Sequence, residues 1–343
     1  FVGDPSTATL FLKDPSTSYE HFKRMYNSVI TPISKARASY WAGKSAKALG
    51  DLKSSENWFN KSSAFPSTFY GQLAIKETSK TLSMPKIFTK FENDEFERFK
   101  DKELVKALLI LLDAKHKRLS RLFAYHLVKK ATTTKEILML SALLKKKNNI
   151  NLSIMVSKRA LYKGIYIPSL NFPLPDKKLF EDVKKSTVIS IPATLAIMRQ
   201  ESAFDISAVS RAGARGLMQV MPRTARLTAK KINYKYIRKN LTRKASYNVI
   251  IGSSYFKEML EKFNGSYVLA LTAYNAGPNR AVRWLKNYGD PRKSEIDVVT
   301  WIELIPISET RNYVQRVIEG IYMYEILTSE NSMSSNPKEI KLF

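Results

Sequence analysis

The amino-acid sequence predicts an all-α protein, and three observations carry that prediction. Residues 19–73 have helical periodicity with no β-branched alternation, amphipathic segments recur over 96–112 and 118–129, and Pro192 opens an apolar helical stretch running through Ser202. At 343 residues the chain exceeds the usual size of one domain, so two or three packed units are expected. Apolar residues make up 44% and charged residues 25%, the balance of a globular chain and not of a disordered one.

The elements follow in order. Breaks at Thr31-Pro32, Gly50-Asp51 and Phe65-Pro66 divide residues 19–73 into helix pairs. Within them Tyr40-Trp41-Ala42-Gly43, Ala46, Trp58-Phe59 and Pro66 resemble a tetratricopeptide unit, in which small residues let two helices approach and aromatics fill the gap. A lone repeat needs neighbours to cover its apolar face, so either further helices precede Phe1 or residues 76–165 pack onto it. Residues 91–160 carry more amphipathic helices, separated by Ala131-Thr132-Thr133-Thr134 and the polar stretch 145–151. Ile167-Pro168 and Phe172-Pro173-Leu174-Pro175 then stop any helix, because proline lacks a donor and restricts the residue before it. The expected division is a superhelical, tetratricopeptide-like fragment over 1–96, a helical linker over 97–171, a domain with its own core over 172–328 and a mobile tail over 329–343.

Composition excludes several chemistries. With no cysteine there is no disulfide, no thiolate zinc site and no cysteine nucleophile. His21, His116 and His126 are scattered without ligand spacing, so neither a metal nor a cofactor is expected. The longest apolar run, 107–112, is far too short for a transmembrane segment. The chain opens at Phe1 with no charged segment leading an apolar one, and reads as a mature or truncated product. A net charge of +27 favours polyanions. No helix concentrates Arg and Asn with interleaved aromatics, so a nucleic-acid partner is not expected.

The candidate chemistry begins at Gln200-Glu201-Ser202. Helical spacing stacks Thr194, Ile197, Met198 and Glu201 on one face. An acid on an apolar stripe is either a tool, held protonated near neutrality by burial, or a structural group capping its helix or paired with an arginine. Downstream, Gly213-Ala214-Arg215-Gly216-Leu217-Met218-Gln219 reads as a loop wrapped closely around something. Ala273-Tyr274-Asn275-Ala276-Gly277 ends an apolar helix. Trp301-Ile302-Glu303 supplies a second apolar-flanked glutamate, and Glu309-Thr310-Arg311-Asn312-Tyr313-Val314 starts a polar helix.

These blocks, in this order over residues 186–327, resemble the catalytic domain of the soluble lytic transglycosylases, relatives of goose-type lysozyme. A weaker likeness covers 18–75, where Ile33-Ser34-Lys35-Ala36-Arg37-Ala38 and Thr68-Phe69-Tyr70-Gly71-Gln72-Leu73 are similar to the superhelix of the large periplasmic members, which carry more of it. The resemblance implies a lysozyme-like helical domain cleaving peptidoglycan between N-acetylmuramic acid and N-acetylglucosamine to a 1,6-anhydro end, without a second carboxylate. It implies Glu201 as the acid and then base, and Tyr274 beside it. Ser210, Gly216, Gln219, Met221, Asn275, Gly277 and Glu303 are implied to contact substrate, and Arg215 to meet its carboxylates. Leu217 and Val220 read as core. Glycan strands and other cell-wall enzymes are the implied partners, and the periplasm the compartment. A lysozyme-like hydrolase and a catalytically silent peptidoglycan-binding protein are the alternatives on the same fold.

Overall fold

The computed structural model describes residues 14–78, 80, 91–165 and 167–329. Their regular structure is helical; among them β structure is confined to two bridges, Val209 with Arg215 and Arg215 with Val220. The expected tail lies, from residue 330 onward, outside the described residues. In chain order the helices are α1 (Pro15–Ser28), α2 (Pro32–Ala48), α3 (Leu52–Ser63), α4 (Phe69–Glu77), α5 (Asn93–Asp101), α6 (Glu103–Asp113), α7 (Lys117–Lys130), α8 (Thr134–Lys146), α9 (Ile150–Tyr162), α10 (Pro168–Asn171), α11 (Lys177–Ser186) and α12 (Ile191–Ser202). After them come α13 (Pro222–Lys231), α14 (Ala245–Lys262), α15 (Tyr267–Ala276), α16 (Pro278–Tyr288), α17 (Val298–Leu304) and α18 (Ser308–Ser329).

The described residues of 1–29, 33–82 and 177–343 form one compact unit, and those of 30–32 and 83–176 a second. The first unit therefore unites α1–α4 with the helices that carry the candidate chemistry. Local signals start its elements: Asp14 caps α1 through the amides of Ser16 and Thr17, Asp51 caps α3 through Ser54, and Thr68 caps α4 through Gly71. Small residues let α2 approach α3 closely. A Cβ on Gly43 would lie 2.9 Å from the Phe59 ring, and Ala36, Ala38 and Ala42 are wholly buried. Trp41 fills the space beside them, stacked on Phe22 and edge-on to Tyr40; burying such a ring contributes on the order of 2–3 kcal/mol.

The centre of this unit is α18. Thirteen of its 22 residues are buried, as expected of a helix packed on more than one side. It lies against α12, α15 and, from the other end of the chain, α4. Side chains tie that last contact: Glu319 accepts the Phe69 amide at 2.9 Å, and Gln72 donates to the Glu319 carbonyl at 3.1 Å.

The second unit has its own apolar core, with Val105, Leu108, Ile137, Leu144 and Val156 wholly buried. The periodic stretch 96–112 is two helices and not one. Lys102 adopts an extended conformation (ψ 130) between α5 and α6, which lets both Phe99 and Leu108 face this core. Lys102 itself reaches Glu136 at 2.6 Å. No helix among the described residues is long and apolar enough to cross a membrane.

Candidate active site

Ser190 caps α12 by accepting the Ala193 amide at 3.3 Å, and Pro192 sits where no donor is needed. From Ala193 to Arg199 every residue is buried, so this helix can present chemistry only at its end. Glu201 stands in that last turn, half-buried, and Ala203 (φ 48) and Phe204 (φ 65) then swing the chain away in left-handed conformations. Burial pushes the Glu201 carboxyl up to about 7. The Tyr313 hydroxyl works against that shift by stabilising the carboxylate, and the like charge of Glu309 reinforces it. Tyr313 Oη is itself buried, and burial first and the charge of Glu201 second raise the tyrosine's own pKa. Two residues before the acid, Arg199 is buried; burial disfavours its charge, while Tyr324 and Glu319 on α18 favour it.

The loop after α12 is held from inside. Ser202 donates to the Leu217 carbonyl at 2.8 Å. Asn248 on α14, fully buried, accepts the Met218 amide at 2.8 Å and donates to the carbonyls of Arg215 and Leu241, both at 2.9 Å. A Cβ on Gly216 (φ 73) would lie 1.9 Å from the Leu241 oxygen, so only glycine allows the loop to seat there. Gly216 is thus close-packed against protein: it is buried and its amide donates to Ala208 at 2.9 Å, where the sequence suggested an approach to sugar. Gln219 likewise spends its amide on the carbonyls of Gly216 (2.8 Å) and Ala208 (3.2 Å), bracing the loop.

Other expected residues stand open. Ser210 is exposed, its hydroxyl accepting the Ala214 amide at 3.0 Å; Met221 is 41% exposed and Val209 53%. Gly277 (φ 92) divides α15 from α16 with open space where a side chain would be. Asn275 accepts from Thr310 at 2.7 Å, joining α15 to the start of α18. Arg215 keeps its Nε buried without a hydrogen-bond partner.

Tyr274 lies near Glu201, whose charge raises the tyrosine's pKa after burial has done so. Its proton, however, goes to the Met218 carbonyl at 2.8 Å, so its direct role is to fix the loop. Glu303 is placed away from any open surface: its side chain is wholly buried, ion-paired with Arg37, accepting the Tyr70 hydroxyl and bonded by Gln315 at 3.0 Å. An acid that meets a cation and two donors inside the fold, with none of its side chain exposed, is not open to a sugar. Arg311 closes the same region by donating to the carbonyls of Glu303 and Ile305, at 3.3 and 2.7 Å, at the C-terminal end of α17.

Sequence reasoning left three contributors without a role. Tyr313 and Glu309 stand in a motif it quoted and, at i and i+4, share one face of α18; that spacing was the available signal. Asn248 had none, since a polar residue within a helix announces no partner 30 residues away.

Comparison with known proteins fits this geometry. Residues 179–296 match the transglycosylase SLT domain family, a span that includes Glu201, the loop and Tyr274 but ends before α17 and α18. A soluble lytic murein transglycosylase of Salmonella typhimurium is 39% identical over 168 residues, covering 48% of this chain and 25% of that protein. The structure of an inactive mutant of lytic transglycosylase Slt from Pseudomonas aeruginosa superposes with a TM-score of 0.78 at 25% identity, over 96% of this chain and 52% of that one. The 70-kDa soluble lytic transglycosylase of Escherichia coli shares the fold, with a TM-score of 0.69 at 21% identity over 99% and 53% of the two chains. This chain therefore spans about a quarter of its curated relative and about half of the solved structures.

Proposed function

Because residues 179–296 match the transglycosylase SLT domain family, we propose that this chain cleaves the β-1,4 bond between N-acetylmuramic acid and N-acetylglucosamine in peptidoglycan and leaves a 1,6-anhydro-N-acetylmuramic acid end. The observation that carries this reading is the Glu201 carboxyl, half-buried at the end of an otherwise buried helix with a pKa pushed up to about 7. Near neutral pH such a group holds a proton in much of the population and still surrenders it readily, as general acid catalysis requires.

In this mechanism Glu201 gives its proton to the glycosidic oxygen as the C1–O bond breaks, with the substrate's acetamido group assisting at C1. The Glu201 carboxylate then takes the proton of the muramic acid C6 hydroxyl as that oxygen bonds to C1. No water is consumed, and the acid returns to its starting state. Tyr313 would steady the carboxylate in the second half of the cycle, and Tyr274 would hold the loop against it. Ser210, Met221, Asn275 and Gly277 supply the surface a sugar would meet. In this division of labour the helical region 1–171 guides the substrate and 172–328 bears the chemical groups. Glycan strands and other cell-wall enzymes are the partners, the compartment is the periplasm, and no cofactor is needed.

Two measurements test the proposal. Glu201→Gln should reduce release of muropeptides from purified sacculi by at least ~10²-fold; retention of activity within a few-fold would remove Glu201 from the mechanism. Mass spectrometry of the products should find muramic acid ends lighter by one water than hydrolysed ends. Glu309, which acts electrostatically on Glu201, is the observation favouring a hydrolase with a second carboxylate, and predominantly reducing ends would decide for it. A silent binding protein would release neither product.

A further inference from the structure

A surface groove in the second unit concentrates a chemistry that the proposed reaction does not use. It lies on α7 and α9, encloses about 370 Å³ and is lined by Arg118, Arg121, Leu122, Tyr125 and Arg159, with Met155 below them. Cations are abundant in this chain, but they are mostly lysine, 39 against 18 arginines. Residues 83–176 contain fifteen lysines and four arginines; three of those four arginines line this groove, and no lysine does. A randomly decorated basic face would have drawn lysine.

Three further observations separate the groove from a merely solvated surface. Neither α7 nor α9 carries an Asp or Glu, and none of the three guanidinium groups makes an ion pair among the described residues. Arg159 is stacked over Tyr125, 4.5 Å from its centroid, with Tyr162 at 5.9 Å, which orients the guanidinium in advance. Leu122 is 58% exposed and Tyr162 67%, so apolar surface flanks the cations. Arginine offers a planar fork that pairs with a carboxylate through two parallel hydrogen bonds, which a lysine point charge does not. The same fork suits phosphate, but a phosphate polymer would gain nothing from Leu122 and Met155, whereas a peptide carries both carboxylates and aliphatic side chains.

We propose that this groove binds the carboxylate-bearing peptide stems of peptidoglycan, an inference that rests on the substrate proposed above. The arginines take the stem carboxylates, and Leu122, Met155 and Tyr125 receive the short aliphatic side chains between them. Binding here is separate from bond cleavage and would favour strands that still carry their peptides.

The test uses the full chain and a synthetic sugar-free stem peptide, titrated by calorimetry or NMR in its free-acid form and with its carboxylates amidated. The free acid should bind, and the amidated peptide should bind at least ~tenfold more weakly, the equivalent of one charge-assisted hydrogen bond. The triple variant Arg118→Gln, Arg121→Gln, Arg159→Gln should lose binding to the same degree. Lysine at all three positions should fail to restore it. Cleavage of glycan strands stripped of peptide should be unchanged in both variants, which also reports that they are folded. Equal binding by wild type and the glutamine variant, or none by wild type up to about 10 mM peptide, overturns the proposal. So does tighter binding of inorganic phosphate or an oligonucleotide than of the peptide. Because the peptide carries no scissile bond, its titration stands or falls independently of whether sacculi are cleaved.

Discussion

Replacing Arg37 by methionine tests how the N-terminal helices are joined to the helices that bear the candidate acid. Arg37 on α2 is buried and pairs with Glu303 on α17, itself wholly buried, 266 residues later in the chain. Methionine keeps most of the length and apolar contact of the arginine and removes only the charge. Glu303 is then left with the Tyr70 hydroxyl and the Gln315 amide but no cation. Breaking one side of a buried pair costs about 3–5 kcal/mol, because the surviving charge is uncompensated. For a unit of this size each kcal/mol lowers the melting temperature by roughly 2–4 °C, so a fall of about 6–20 °C is expected. Thermal melts at neutral pH followed by circular dichroism measure it. The double variant Arg37→Met with Glu303→Gln should recover at least half of the loss, since no unpaired charge remains. A single variant that melts within about 2 °C of wild type, or a double variant whose loss is the sum of the two singles, would refute the reasoning.

Three other outcomes follow from Glu201, from Glu325 on α18 and from Gly216. The rate of sacculus cleavage should fall by about tenfold per pH unit above a pKa near 7, because Glu201 must begin protonated; a flat profile up to about pH 9 would show that another group is the acid. Glu325, whose carboxyl burial raises to about 7, holds a proton in the folded state that the unfolded chain releases near 4.5, so stability should decline as pH rises between those values. Glu325→Gln should flatten that decline, gaining about 1–2 kcal/mol at pH 8 relative to pH 4 after allowance for partial exposure, and denaturant titration at the two pH values would expose an unchanged slope. Gly216→Ala forces a methyl group onto the Leu241 carbonyl and Asn248, and should cost more than ~4 kcal/mol and abolish cleavage. Gly213→Ala, with φ 91 but open space, should cost only ~1–2 kcal/mol, and equal losses in the two would show that backbone strain rather than the contact matters.

Much of the architecture was legible because it is local. Proline, glycine and capping residues marked the breaks at Gly50-Asp51 and Phe65-Pro66 and the start of α12, and the apolar face of α12 carried Glu201 to its end. The break at Lys102 escaped, since no residue there forbids a helix and the core on either side decides it. The candidate site was legible as a set of blocks but not as a set of partners. Glu303 looks the same in sequence whether it faces a sugar or Arg37, and only packing between α2, α4 and α17 distinguishes them. Tyr274 and Tyr313 are similarly ambiguous until the Met218 carbonyl claims one hydroxyl and Glu201 feels the other.

The long reach from Arg37 to Glu303 has a consequence for how the protein is made. Helices near the start of the chain must wait for α17 and α18, near its end, before their buried polar groups find partners. Contacts of such sequence separation form late and slow the search for the native state. The last turn of α12, synthesised some hundred residues before Tyr313, likewise acquires its electrostatic setting only when α18 docks. A partly synthesised chain would thus hold the acid without the surroundings that set its proton affinity. Competence arrives with α18, a useful property if the substrate, as proposed, is the wall that keeps the cell intact.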